Sequence, residues 1–587
     1  MLRSVILLVL SKLKGIVLGK SRAMARKICY NLFICLTVLF FGLFFFYPVF
    51  QVLRGGVQDS MGNFTWFYLL EVFRNPIYLE GLLNSLKIAC CTTLLSVLIA
   101  MPLAWLSDRY DFWGKKLLTG ALLLPMILAP FVGALGMQCI FGRYGAFNTL
   151  LERLHFIEPG CGIDWFAGGF WGVVVMEALH LFPILYLNIV AAFANVDPML
   201  LEASSDLGCI GFRRFRKVIL PLVMPGVFAG GSLVFIWSFT ELGTPLMFNY
   251  GRCTAVQIFG GINEIGVNPM PYALVLVMMF LSGLMYILAK VVFGRKSYAM
   301  MSKAGRGGNI TRLSGLKALP VILLFGSIGL FSILPHLGVL GLAICDTWYR
   351  SVFPVGLTMA HFESALGHSL TVPSIVNSLR YAVFAVLVAL ALGIFSAVVI
   401  VRGRGRFRWL LDMLLMLPLA VPGLVLAFGY VAMSQKGRLF HCFDPVADPT
   451  VLLVLAYAVR RLPYVVRAAV AGLQQTSVSY EEAAASLGAK PLVCFRRITV
   501  PLISANLIAG GILAFSFSML EVSDSLILAQ KAAYFPITKA IFELSSLLGQ
   551  GSALASALGL WTMVFLGMSM LTASCLLGKR LGAMFRV

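Results

Sequence analysis

Charge is what this sequence has least of. Only 12% of its 587 residues are Asp, Glu, Lys or Arg, and just 24 are acidic, whereas a water-soluble domain carries about a quarter charged residues. A soluble globular fold is excluded on that count. Histidine is scarcer still: the six are scattered without ligand spacing, and the twelve cysteines include no CxxC pair. Neither a metal centre nor a redox pair is therefore assigned. About half of the cysteines lie in apolar runs, where a thiol acts as a small hydrophobe. Cys139 and Cys161 flank one loop, and two free thiols are a better reading there than a bridge. A phosphate-binding loop is also missing. Gly19-Lys20-Ser21 has its ending, but Lys14 stands where its first Gly must be, and no strand–loop–helix context surrounds it. With no nucleophile arrangement or His/Cys/Asp/Glu cluster above background, the chain reads as a non-enzyme without a cofactor.

What remains is apolar. Hydrophobic residues make up 60% of the chain and the mean hydropathy is +0.93. A hydrocarbon core of about 30 Å needs roughly 20 apolar residues per helical crossing. Apolar windows predict spans at 28–50, 82–106, 117–140, 170–194, 222–247 and 272–293, then at 316–344, 375–401, 409–432, 450–472, 502–528 and 554–578. The fold class is all-α: a polytopic membrane protein of about twelve transmembrane helices. The net charge of +22 is then a topology signal. With the N-terminus inside, the inner segments hold 30 of the 46 Lys and Arg and the outer loops 10, which places both termini in the cytoplasm. Nucleic acid is excluded as a partner, and lipid is the surrounding phase.

The chain is duplicated. Asn84-Ser85-Leu86-Lys87 matches Asn377-Ser378-Leu379-Arg380, and Leu124-Pro125 matches Leu417-Pro418, at an offset of 293; Pro183, Glu202, Gly208, Pro221 and Glu241 match Pro463, Glu482, Gly488, Pro501 and Glu521 at 280. The change of offset falls in the outer loop 141–169, where added length costs little. Six spans per half give two repeats of the same orientation, facing each other across an axis along the membrane normal with the substrate path between them. The expected organisation is a cytoplasmic lead-in at 1–27, a first half at 28–293, a cytoplasmic linker at 294–315, a second half at 316–578 and a cytoplasmic tail at 579–587.

Between the fourth and fifth spans of each half lies a polar inner loop. The first runs Leu201-Glu202-Ala203-Ser204-Ser205-Asp206-Leu207-Gly208 to Pro221, the second Glu481-Glu482-Ala483-Ala484-Ala485-Ser486-Leu487-Gly488 to Pro501. Each reads as a short helix with acidic residues at its positive end, broken by Gly and followed by a basic second helix. In both copies the pattern resembles the E-A-A loop of the inner-membrane permeases of bacterial ABC importers: Glu-Ala-Ala, a Gly a few residues on, and a Leu-Pro-like end. Ser204 replaces the second Ala of the first copy, and Val500 the Leu before Pro in the second. The resemblance implies that Glu202, Ala203, Gly208, Pro221, Glu482, Ala483, Gly488 and Pro501 form coupling loops seated on two copies of a cytoplasmic ATPase. It further implies an extracytoplasmic solute-binding protein and a place in the bacterial inner membrane.

Intramembrane charges are costly and mark function. Glu241 and Glu521 hold equivalent places about 28 Å along the fifth spans, near the outer end of the path, and Asp524 lies one helical step from Glu521. The fourth span of the second half carries Arg460, Arg461 and Arg467, where the first half has His180, Leu181 and Leu187. These arginines either attract an anion or pair with Glu521 and Asp524 to hold a gate, and pairing has the greater weight. Glu177 has no obvious partner. The fused two-half layout and the run Leu520-Glu521-Val522-Ser523-Asp524-Ser525 look most like the ferric-ion branch of those permeases. Importers of 2-aminoethylphosphonate and other small solutes are its near relatives. Outer carboxylates suit ferric iron and the arginines a phosphonate. A secondary transporter, also two parallel six-span halves, is the alternative class.

Overall fold

With no water to satisfy it, backbone in a bilayer must bond internally, and helices do so within one segment. A computed structural model of the chain describes residues 33–577, except 60, 127–128, 266, 294–310 and 404–406. The lead-in, most of the linker and the tail lie outside the described residues. Among those described, the only strands are two- or three-residue pairs: Tyr110–Asp111 parallel to Thr311–Arg312, and Cys345–Thr347 antiparallel to Val355–Leu357.

Among the described residues eight helices are long and apolar enough to cross a membrane: Phe33–Gly56, Pro76–Arg109, Phe170–Phe193, Gly211–Phe239, Met270–Leu288, Leu319–Ile344, Thr371–Arg402 and Gly551–Ser569. Three bent pairs bring the number to eleven: Lys115–Met126 with Pro130–Arg153, Arg408–Ala420 with Gly423–Met433, and Pro491–Leu502 with Ser504–Met519. The twelfth position is taken by the helix Thr450–Gln475, whose three arginines lower its hydropathy. It holds the place in the second half that Phe170–Phe193 holds in the first.

The third span of each half, expected as one helix, is broken by 104° in the first half and 96° in the second. Pro130 and Pro422 stand at the two breaks, where a missing N–H and a fixed φ favour a new start. Before Pro221 and Pro501 the helix loosens into single π-turns, Phe215–Ile219 and Phe495–Thr499, with Leu220 and Val500 donating five residues back. A proline cannot make the normal bond to the residue four before it, and the wider turn absorbs the defect.

The first spans are exchanged between halves. Phe33–Gly56 packs on Gly423–Met433 of the second half: Tyr430 Oη donates to Phe44 O at 2.7 Å, and Arg438 Nη1 to Gln51 Oε1 at 2.7 Å. Pro48 has no N–H to give Phe44 O, so the tyrosine supplies that carbonyl's donor. In return Leu319–Ile344 packs on the first half, where Phe325 meets Phe112 at 5.2 Å and the backbones of Gly136 and Gly338 touch. Small residues let membrane helices approach this closely. A Cβ on Gly136 would stand 2.7 Å from Val339 N, and backbone cannot move aside as a side chain can. Gly136→Leu should cost at least about 1–3 kcal/mol and lower the unfolding midpoint in detergent. Gly326→Leu, with open space around it, should leave that midpoint unchanged.

Candidate functional site

The fourth and fifth spans of both halves converge on a cavity of about 150 Å³, lined as well by the breaks in the third spans at Ala129-Pro130 and Val421-Pro422. Its charged and titratable lining is Glu177, His180 and Glu241 from the first half, and Arg460, Arg461, Tyr464 and Glu521 from the second. Glu241 and Glu521 were expected inside the fifth spans near their outer ends. Instead the helices stop at Phe239 and Met519, and each carboxylate sits in a short non-helical gap before the next helix, Gly243–Met247 or Ser523–Leu528. Irregular backbone is tolerated in a membrane where it lines a cavity. The site is also deep: Glu177 is the eighth residue of Phe170–Phe193 and Arg460 the eleventh of Thr450–Gln475, so they lie roughly 10 and 15 Å along their helices.

In the second half the charges are matched. Arg460 pairs with both Glu521 and Asp524, the latter at 3.1 Å; Arg461 pairs with Glu521 and donates to Phe517 O at 3.0 Å. Ser525 Oγ donates to Glu521 O at 2.6 Å, Thr538 Oγ1 to the same oxygen at 2.7 Å, and Tyr457 Oη bonds Ser525 Oγ at 2.7 Å. These bonds hold the non-helical gap to the fourth span, and each charge has partners to offset its desolvation. Arg467, expected from the sequence on the path beside Arg460 and Arg461, does not line the cavity. It points away from this cluster and pairs with Asp412 on the third span at 3.5 Å, half exposed.

The first half has the same scaffold with other side chains. Glu241 Oε1 accepts from Gly243 N–H at 3.2 Å. His180 Nδ1 lies 2.8 Å from Pro125 O; a carbonyl only accepts, so Nδ1 is the donor. Glu177 is 2% exposed. Ser238 Oγ donates to its Oε2, while Oε1 has no partner among the described residues.

On the other side of the spans, the two polar loops share one geometry. Pro198–Asp206, capped by Asp197 at Met199 N, is followed by Gly208 at φ +74°; Ser479–Ser486 is followed by Gly488 at φ +86°. Glu202, Ala203, Glu482 and Ala483 are exposed, and the buried contact is made by Ser204 or Ala484. Pro221 and Pro501 stand just after the π-turns rather than at the start of a helix, which begins about ten residues earlier. Among the described residues only the second loop has an ion pair to the second span of its half: Arg402 pairs with Glu481 at 3.4 Å, where the first copy has Leu201, while the first loop is bonded by Arg214, which donates to Ser205 Oγ at 2.7 Å.

The family model described as "Binding-protein-dependent transport system inner membrane component" matches this chain twice, over residues 92–298 and 389–574. The chain belongs to that family. These permeases are multi-pass components of the inner membrane that work with a binding protein, and are transport components rather than catalysts; the secondary-transporter alternative falls away. Among relatives, this permease is 26% identical to the ferric transport system permease protein FbpB of Actinobacillus pleuropneumoniae, over 78% of this chain and 64% of that one. It is 26% identical to the Fe(3+)-transport system permease protein FbpB 2 of Haemophilus influenzae, over 78% of this chain and 83% of that one. The molybdenum transport system permease protein ModB of Escherichia coli is 34% identical over 29% of this chain and 71% of its own. Among solved structures, a bacterial ABC transporter involved in the import of the acidic polysaccharide alginate superimposes with a TM-score of 0.35 at 14% identity, covering 45% of this chain and 99% of its own.

Asn84-Ser85 and Asn377-Ser378, which mark the repeat in the sequence, also fix the packing of this permease. Their side chains clamp the segments that follow the fifth spans. Ser85 and Ser378 accept from Thr254 N and Ile537 N at 2.9 and 2.7 Å, and Asn84 and Asn377 donate to Arg252 O and Ala533 O. The available signal was a polar pair recurring inside two apolar spans. Cys139 and Cys161 are free thiols.

Proposed function

We propose that this permease supplies both transmembrane halves of an ATP-driven ferric-iron importer. Two copies of a cytoplasmic ATPase seat on the loops at Pro198–Asp206 and Ser479–Ser486, and a binding protein delivers cargo on the opposite side. Both termini then lie in the cytoplasm. Glu241, Glu521, Asp524, Arg460 and Arg461 belong to the translocation path or its gate.

The observation that carries the reading is the duplicated elbow. Each short helix ends at a left-handed glycine and presents an exposed apolar residue, Leu207 at 87% exposure and Leu487 at 89%. From each elbow a helical span, bent by 71° after Leu502 in the second half, leads up to the cavity, so a push on the loops is transmitted to the carboxylates at its far end. Ferric iron is favoured by the two FbpB relatives. The arginines that would suit a phosphonate are already matched by Glu521 and Asp524.

The test is copurification and uptake. Leu207→Glu with Leu487→Glu should leave the permease in the membrane, strip the ATPase from it during purification and reduce ferric uptake to background. Full retention of the ATPase with normal uptake would overturn the docking assignment.

A further inference from the structure

Pairing the charges around the cavity leaves two carboxylates over. Arg460 and Arg461 are both bonded to Glu521, and Arg460 also to Asp524; two cations and two anions, all on the second half, cancel. Glu177 and Glu241 remain, both on the first half and both lining the cavity, and neither forms an ion pair among the described residues. An unpaired carboxylate out of water is expensive and persists where function requires it. Glu177 makes the point most sharply, being 2% exposed with Oε1 lacking any hydrogen-bond partner among the described residues.

His180 adds a neutral donor. Its Nδ1 donates to Pro125 O at 2.8 Å, which in neutral imidazole leaves Nε2 with its lone pair. A carbonyl fixing the tautomer in this way is the usual second shell of a ligating histidine.

We infer that Glu177 and Glu241, with His180, form a transit site for a hard multivalent cation, built on the first half alone. The inference rests on the ferric-import reading for the identity of the cargo, but the site follows from the distribution of charge. Oxygen donors select such an ion, and water completes its shell. Among the described residues no group of three or more His, Cys, Asp and Glu side chains is placed to hold a metal ion at once. That suits transit, because an ion in passage must be bound well enough to enter and weakly enough to leave. The second half keeps its carboxylates paired, so the carboxyls left without a countercharge are the two of the first half.

Trp237 lines the same cavity, so terbium(III), a hard trivalent probe, can be read there by tryptophan-sensitised emission. Titrating the full-length permease in detergent with terbium(III) should give saturable emission and raise the unfolding midpoint. Glu177→Gln with Glu241→Gln should weaken binding by on the order of tenfold or more, the loss that even an outer-shell contact produces at metal sites. Gln keeps the bond from Ser238 and removes the unpaired charge, so the metal-free midpoint should hold or rise, which separates lost binding from lost fold. Equal terbium binding by the double variant and the wild type, or none by the wild type, overturns the site. Ferric uptake in cells distinguishes the two readings. Wild-type uptake left intact in the double variant overturns the site and preserves the importer. Absence of wild-type uptake, with terbium binding that depends on the pair, overturns ferric iron as cargo and supports the cation site.

Discussion

Arg461→Ala should be among the most damaging single substitutions in this permease, costing about 3–5 kcal/mol and bringing uptake to background. Arg461 is nearly buried, bonded to Glu521 and to Phe517 O, and its guanidinium lies 5.6 Å from the centre of the Phe517 ring. Without it, Arg460 alone must serve both Glu521 and Asp524. The damage comes less from the lost attraction than from leaving a desolvated carboxylate undercompensated. The first half shows the alternative, with Leu181 at the position of Arg461. Arg461→Leu combined with Glu521→Gln should therefore be more stable than Arg461→Ala alone, although it removes more polar contacts. Thermal unfolding of the detergent-solubilised protein ranks the three. An Arg461→Ala protein as stable as wild type, or a double variant less stable than the single, would show that the network is not held by charge compensation.

Gly208→Pro together with Gly488→Pro should abolish uptake while the protein remains in the membrane at its normal level. Both glycines are left-handed, at φ +74° and +86°, and proline is fixed near −65°. The substitution also removes the N–H that Gly208 donates to Ser205 O at 2.8 Å and that Gly488 donates to Ala485 O at 3.1 Å. The elbow must then open, and the short helix loses its angle to the long one that follows. Alanine at the same positions costs about 1–2 kcal/mol each for the left-handed conformation and should give intermediate uptake. Wild-type uptake in the double proline variant would sink the coupling role of the loops. The second loop should tolerate its single proline less well, because Arg402 bonds Glu481 and also Leu473 O and Thr476 O at 3.1 and 2.8 Å. That tether transmits a distortion directly to the second span.

The sequence alone determined membrane residence, the parallel duplication and the two loops. Each is a one-dimensional signal: the length of an apolar run set by bilayer thickness, a motif recurring at a fixed offset, and a Gly that ends a helix. It also raised the alternatives for Arg460 and Arg461, since charges in an apolar span need a reason. Only the tertiary structure decided which reason holds. Arg460 and Glu521 are 61 residues apart in the chain, and no local pattern records that they meet while Arg467, two turns further on, turns to Asp412. The exchange of first spans is invisible for the same reason: hydropathy reports that a helix is buried in lipid or protein, not which neighbour it touches. Glu177 shows the difference most plainly. Its sequence context marks it as an isolated acid in an apolar helix, and only the packing of Ser238 against one oxygen, with the other left unpaired beside the cavity, turns that isolation into a site.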